Sequence, residues 1–130
     1  MNKAEWEQGV WHETWFWQTW VDSQGSQWPE EYAKRIDPTL PLQGGLRECL
    51  DARQAEFDIL DVGAGPLTWV GKVWEGHLVR ITAVDPLATR YSEMLEKAHV
   101  TPLVRTQPGE VEALADIFAP GSFFRITRFS

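Results

Sequence analysis

The stretch from Phe57 to Ala88, FDILDVGAGPLTWVGKVWEGHLVRITAVDPLA, constrains the fold more than any other part of the chain. Phe57 to Val62 is a nearly continuous apolar run of the kind found in a strand buried on both faces. Leu78 to Val84 is another, interrupted by Arg80 and Thr82. Between them Leu67, Val70, Val73 and Trp74 fall at helical spacing, which predicts a strand, helix, strand crossover. Leu87, Tyr91, Met94, Leu95 and Ala98 repeat at helical intervals and predict a further helix after Asp85. TPLVRT reads as a third strand, and PGEVEALADIFAPG as a short helix with its exit turn. Such alternation predicts an α/β fold, a parallel sheet with helices on both faces.

The chain divides near residue 55. Residues 1–54 are expected to form a helical cap and carry six of the eight tryptophans, and residues 55–130 are expected to form the sheet domain. NKAEWEQGVWHETWFWQTWVDSQG reads as one helix, with Asn2 as its cap, Glu5 completing a capping box and Gly25 as the stop. Trp6, Val10, Trp17 and Val21 share one face, which Trp11, Trp15 and Phe16 widen beyond an ordinary core stripe. QWPEEYAKRID predicts a second helix, with Pro29 in the first turn and two glutamates at the positive end of the dipole. QGGLRECLDAR predicts a third, ending near Arg53.

Composition narrows the partners. A chain of 130 residues suits one compact domain with its own core. Twelve basic against 19 acidic residues give a net charge of −7, which disfavours a phosphate-tracking surface, so nucleic acid is not an expected partner. No signal-peptide pattern or membrane-length apolar run is present, and the expectation is a soluble, cytoplasmic protein without membrane association. The single Cys49 excludes an internal disulfide and a thiolate zinc site, and it is expected as a small core residue. His12, His77 and His99 are scattered, so no metal site is expected.

The glycines carry the chemistry. At the carboxyl end of a central parallel strand, Gly63 and Gly65 let the backbone turn sharply and let a ligand approach without meeting a Cβ. Asp85 ends the next strand beside the same crevice, where a carboxylate can accept two hydrogen bonds from a ribose diol. A dinucleotide fingerprint would place glycine where Thr68 stands, and Pro66 and Leu67 crowd the turn that would cradle a pyrophosphate. Asp61 would repel a phosphate and welcome a ligand with a cationic portion.

These residues bear a family resemblance. ILDVGAGPLTWVG resembles the first motif of class I S-adenosylmethionine-dependent methyltransferases, and ITAVDPLA resembles their second-strand motif ending in the ribose-binding acid. The resemblance implies a methyltransferase with a Rossmann-like sheet, S-adenosyl-L-methionine as cofactor and a small-molecule acceptor. It implies that Gly63 and Gly65 lie under the methionine and ribose portions, that Asp61 contacts the amino group, and that Asp85 holds the ribose hydroxyls. PGEVEAL resembles the third-strand exit, which implies Glu110 near the adenine amino group and a backbone contact from Val111. Trp17, Trp28 and Tyr32 could cover the cofactor, a face-on ring stabilising the sulfonium.

The chain departs from the family pattern at Leu67, in place of the frequent third glycine, and at Phe124 in FFRITRFS, where an acid is expected. The family sheet has seven strands ordered 3-2-1-4-5-7-6, of which residues up to 130 can supply about four, a partial sheet. No catalytic residue can therefore be named, and an edge at the fourth strand is expected to favour homo-oligomers. The alternative reading is a non-catalytic remnant that binds the cofactor, or a partner subunit through that edge. A nicotinamide-dependent fragment is disfavoured by Thr68 and by the short sheet.

Overall fold

The structure is a computed structural model that describes residues 2–109 and the backbone of residues 124–127. Of the helix and exit turn expected over residues 108–121, residues 110–121, with Glu110 and Val111, lie outside the described residues. In chain order the elements are α1 (Lys3–Asp22), α2 (Pro29–Ile36), α3 (Gly44–Glu48), β1 (Glu56–Val62), β2 (Leu78–Asp85), α4 (Ala88–Lys97), β3 (Gln107–Pro108) and β4 (Phe124–Thr127). The strands form one sheet in the order β3-β2-β1-β4, and every pair in it is parallel. The fold is mixed α/β.

β1 explains why its run is almost wholly apolar. Phe57 and Ile59 point to one face and pack with Leu42, Leu46 and Val70, while Leu60 and Val62 point to the other and pack with Val84. With β2 on one side and β4 on the other, β1 is covered on both faces and paired on both edges. A third cluster joins Trp17, Trp20, Val21 and Tyr32 to Leu67, Tyr91, Met94 and Leu95, so α1 and α2 are held against α4.

The ends of α1 follow from local chemistry. Asn2 Oδ1 accepts from the Glu5 backbone N–H at 2.8 Å, and Asn2 Nδ2 donates to Glu5 Oε1 at 3.3 Å. At the other end Gly25 takes φ +103° and its N–H donates to the Trp20 carbonyl at 2.8 Å. A Cβ there would lie 2.6 Å from the Trp28 carbonyl oxygen, so glycine also lets α2 start close by. The apolar face of α1 is buried over only part of its length: Trp17, Trp20 and Val21 are buried, whereas Trp6, Trp11, Trp15 and Phe16 are exposed. α1 has 20 residues and α4 only 10, so roughly 30 Å of helix meets a partner of roughly 15 Å. The expected inclusion of Trp6 in the core stripe is corrected accordingly.

The crossover between β1 and β2 is not helical. Residues 63–77 form turns and isolated bridges, with Gly71 at φ +91° and Gly76 at φ +84°, outside the helical region. Their backbone groups bond instead to the segment before α3: Lys72 N–H to the Leu40 carbonyl at 2.7 Å, Leu42 N–H to the Val73 carbonyl at 2.8 Å, and Gln43 N–H to the Val70 carbonyl at 3.1 Å. Leu67 and Val70 are nonetheless buried, so their helix-like spacing is that of a loop pressed into the core. Three smaller expectations also change. α3 stops at Glu48 and not near Arg53, and Cys49 is exposed. The third strand is Gln107–Pro108 and not TPLVRT, where Pro102 brings no N–H and Leu103 faces solvent. Among the described residues no helix is long and apolar enough to cross a membrane.

Gly71 tests this crossover. A Cβ there would collide with the Pro41 carbonyl oxygen and lie 2.7 Å from Leu42 Cα, whereas a Cβ at Gly76 meets open space. In urea denaturation Gly71→Ala should lose about 3 kcal/mol or more, combining backbone strain with overlap. Gly76→Ala should lose only about 1 to 2 kcal/mol, the left-handed strain alone.

Candidate functional site

Because β1 and β2 run parallel in register, with Val62 opposite Val84, their carboxyl ends emerge side by side. Gly63 at φ +73° and Gly65 at φ +69° turn the chain away from β1 at that point. The amides of this turn are all engaged. Gly63 and Ala64 donate to the Val84 carbonyl at 2.8 and 3.2 Å, and Gly65 donates to Asp85 Oδ2 at 3.1 Å. A pyrophosphate needs free N–H groups in such a turn, and these three are committed within the chain.

Asp85 is the hub. Its Oδ1 accepts from the Leu87 N–H at 2.9 Å, just before the first residue of α4. It is 8 % exposed. Burial pushes its carboxyl above the usual carboxylate range; the Leu87 and Gly65 amides pull it partly back, and the charges of Glu13 and Asp61 raise it again. The buried Tyr91 phenol is raised by the same surroundings, first by burial and then by the charges of Asp85 and Glu13. Carboxylates therefore gather around the turn, one from α1 and two from strands of the sheet.

Asp61 is fully buried and its Oδ2 accepts from the Thr68 hydroxyl at 2.6 Å. Thr68, which breaks the dinucleotide fingerprint, thus donates to the acid before the turn. Gly65 is clamped from three directions. Besides the bond to Asp85, its carbonyl accepts from the Thr106 hydroxyl at 2.7 Å, and a Cβ on it would lie 3.2 Å from Trp17 Cζ2. The indole of Trp17 therefore covers the turn. Its Nε1 donates to Glu13 Oε2 at 3.1 Å, and the Arg35 guanidinium lies 5.5 Å from its ring centre.

Of the aromatic residues expected over the site, Trp17 is packed on it, Tyr32 is buried against Trp20 with ring centres 5.2 Å apart, and Trp28 is exposed. Gly63, Gly65 and Asp85 come together as expected, and Asp61 lies beneath them. Sequence reasoning missed Glu13, Thr68, Thr106 and Arg35. Glu13 and Trp17 stand four apart on one helix, a spacing that would have shown their pairing. Thr106 carries no local signal. A groove of about 430 Å³, lined by neither the glycines of the turn nor Asp85, runs between the first half of α1, including Glu13, and Pro86 and Leu87.

The pH dependence of stability follows from the burial of Asp85. Between the ordinary carboxyl pKa of about 3.9 and the raised folded value, the folded chain holds a proton that the unfolded chain has lost, so this group's contribution falls as pH rises. Asp85→Asn has no such titration. Across that window its unfolding free energy relative to the unsubstituted chain should climb with pH, then level off, when followed by urea denaturation at a series of pH values. A pH-independent difference would contradict the raised carboxyl.

No family model matches this chain, and neither a curated protein nor a solved structure matches it, so its own residues carry the functional reading.

Proposed function

We propose that the crevice formed by Gly63, Gly65 and Asp85 binds S-adenosyl-L-methionine, and that the chain is a methyltransferase acting on a small-molecule acceptor. On this reading the sheet is a partial Rossmann-like one behind a tryptophan-rich helical cap. The observation that carries it is electrostatic. Among the described residues the charges acting on Asp85 are those of Glu13 and Asp61, both carboxylates, while the amides of the turn are spent on Val84 and Asp85. Such surroundings repel a phosphate and favour a ligand bearing positive groups and a diol.

The residues present fit that ligand. Each Asp85 oxygen accepts one amide bond and keeps a lone pair for a ribose hydroxyl. Gly65 offers a surface without a Cβ, and the groove beside Pro86 and Leu87 falls within the size range of small-molecule sites. The bound cofactor supplies an already activated methyl group, so the chain's task is to hold and align it. Glu13 adds negative charge on the same side.

One observation favours the second reading, a non-catalytic remnant. Trp17 lies on the face of Gly65 that a ligand would use, and Asp85 already has two partners. On that reading the acid is a structural tie between the strand end and the start of α4.

Calorimetric titration with S-adenosylhomocysteine, run beside NADH, separates the readings. Micromolar binding of S-adenosylhomocysteine alone, weakened about tenfold or more in a folded Asp85→Ala variant, is the expected result, because a charge-assisted pair of hydrogen bonds is lost. Absence of binding by the folded chain would leave the remnant reading.

A further inference from the structure

Trp17 has two sides. One covers the glycine turn, and the other faces a separate groove of about 540 Å³ between α1 and α2. Phe16, Trp17, Trp20 and Trp28 supply most of its wall, with Phe16 50 % and Trp28 58 % exposed. Two large aromatic faces are thus held open to solvent at the mouth of an apolar cleft. The charged groups lining it are Glu13, Glu31 and Arg35.

Their pairing decides what the groove can take. Arg35 Nη2 donates to Glu31 Oε1 at 2.8 Å, and its Nη1 donates to the Leu67 carbonyl at 3.1 Å. Its guanidinium also lies 5.2 to 5.5 Å from the ring centres of Trp17, Trp20 and Trp69. Arg35 is thereby spent within the chain, and among the described residues its Nε is a buried donor without a partner, out of reach of a ligand. Glu31 is neutralised by the same contact. Glu13 is left as the carboxylate lining the groove, and among the described residues it is the neutral Trp17 indole N–H that bonds its Oε2. Aromatic π faces and one carboxylate in a low-polarity cleft select a flat body with a positive charge.

We propose that this groove is a binding site for a planar organic cation, a quaternised heteroaromatic or aryl ammonium compound, stacked on Phe16 and Trp28 with its charge toward Glu13. The site shares Glu13 and Trp17 with the glycine-turn crevice but does not rest on the reading of that crevice. An anion would meet the Glu13 carboxylate, while the Arg35 guanidinium on the groove wall is already paired with Glu31. A neutral ring would gain the stacking alone. Because Trp17 is the shared wall, the bound cation would lie one indole away from Gly65.

The test is calorimetric titration at one fixed pH. The probes are 1-methylquinolinium, neutral quinoline and quinoline-2-carboxylate, with no adenosyl compound present. The cation should bind about tenfold more tightly than the neutral ring, and the carboxylate more weakly than either. Glu13→Gln keeps an acceptor for the Trp17 indole while removing the charge, and should bring cation and neutral ring within about twofold of each other. Trp28→Ala, at an exposed position, should weaken both rings by about tenfold, and Trp11→Ala, outside this groove, should change neither. Equal binding of carboxylate and cation would overturn the proposal, as would no binding of the cation, or cation binding indifferent to both groove variants. So would a concentration-dependent dimer that Trp28→Ala dissolves in sedimentation while the cation does not bind, which would make the groove an interface between copies of this chain.

Discussion

The hydrogen bond from the Gly65 amide to Asp85 joins the turn after β1 to the end of β2, and the rest of the site is arranged around it. It is buried, and burial of a carboxylate is unfavourable unless its oxygens are bonded. Leu87 provides the second amide, at the point where the chain enters α4. Thr106 fixes the carbonyl of the same glycine, and the Trp17 ring closes over it. Three separate parts of the chain, at Asp85, Thr106 and Trp17, thus converge on one residue that has no side chain. A Cβ there would press on the indole, and the left-handed φ would strain any other residue.

Charge organises the second layer. Glu13 bonds Trp17, acts on Asp85 and Tyr91, and lines both the groove beside Pro86 and Leu87 and the one between α1 and α2. The Arg35 guanidinium lies 5.5 Å from the centre of the same ring while paired with Glu31. The indole over the glycine turn is therefore held between an acid and a base from two different helices. Any ligand that reaches Gly65 must act on this arrangement, which places α1 and α2 in the chemistry of the site as well as in its packing.

Much of this was legible from the sequence for simple reasons. An unbroken apolar run such as Phe57 to Val62 suits a strand with both faces covered, and the glycines and Asp85 follow at the carboxyl ends that parallel pairing brings together. The Asn2 cap and the Gly25 stop are local, and local signals survive without knowledge of the fold. The crossover was misread because Leu67 and Val70 are buried at a spacing that a helix shares with this loop. Gly71, whose approach to Pro41 and Leu42 depends on a segment some thirty residues away, decides the matter. The extent of the buried face on α1 depends on the length of α4, and the Thr106 contact on a tertiary meeting, neither of which periodicity records.

The most direct measurement is an amide and indole NMR titration of the whole chain with S-adenosylhomocysteine. The largest shifts should fall on the Gly63, Gly65 and Leu87 amides and on the Trp17 indole N–H, since these surround Asp85 and cover the turn. Unchanged resonances at those four groups under saturating ligand, or shifts confined to residues elsewhere, would contradict the proposed site.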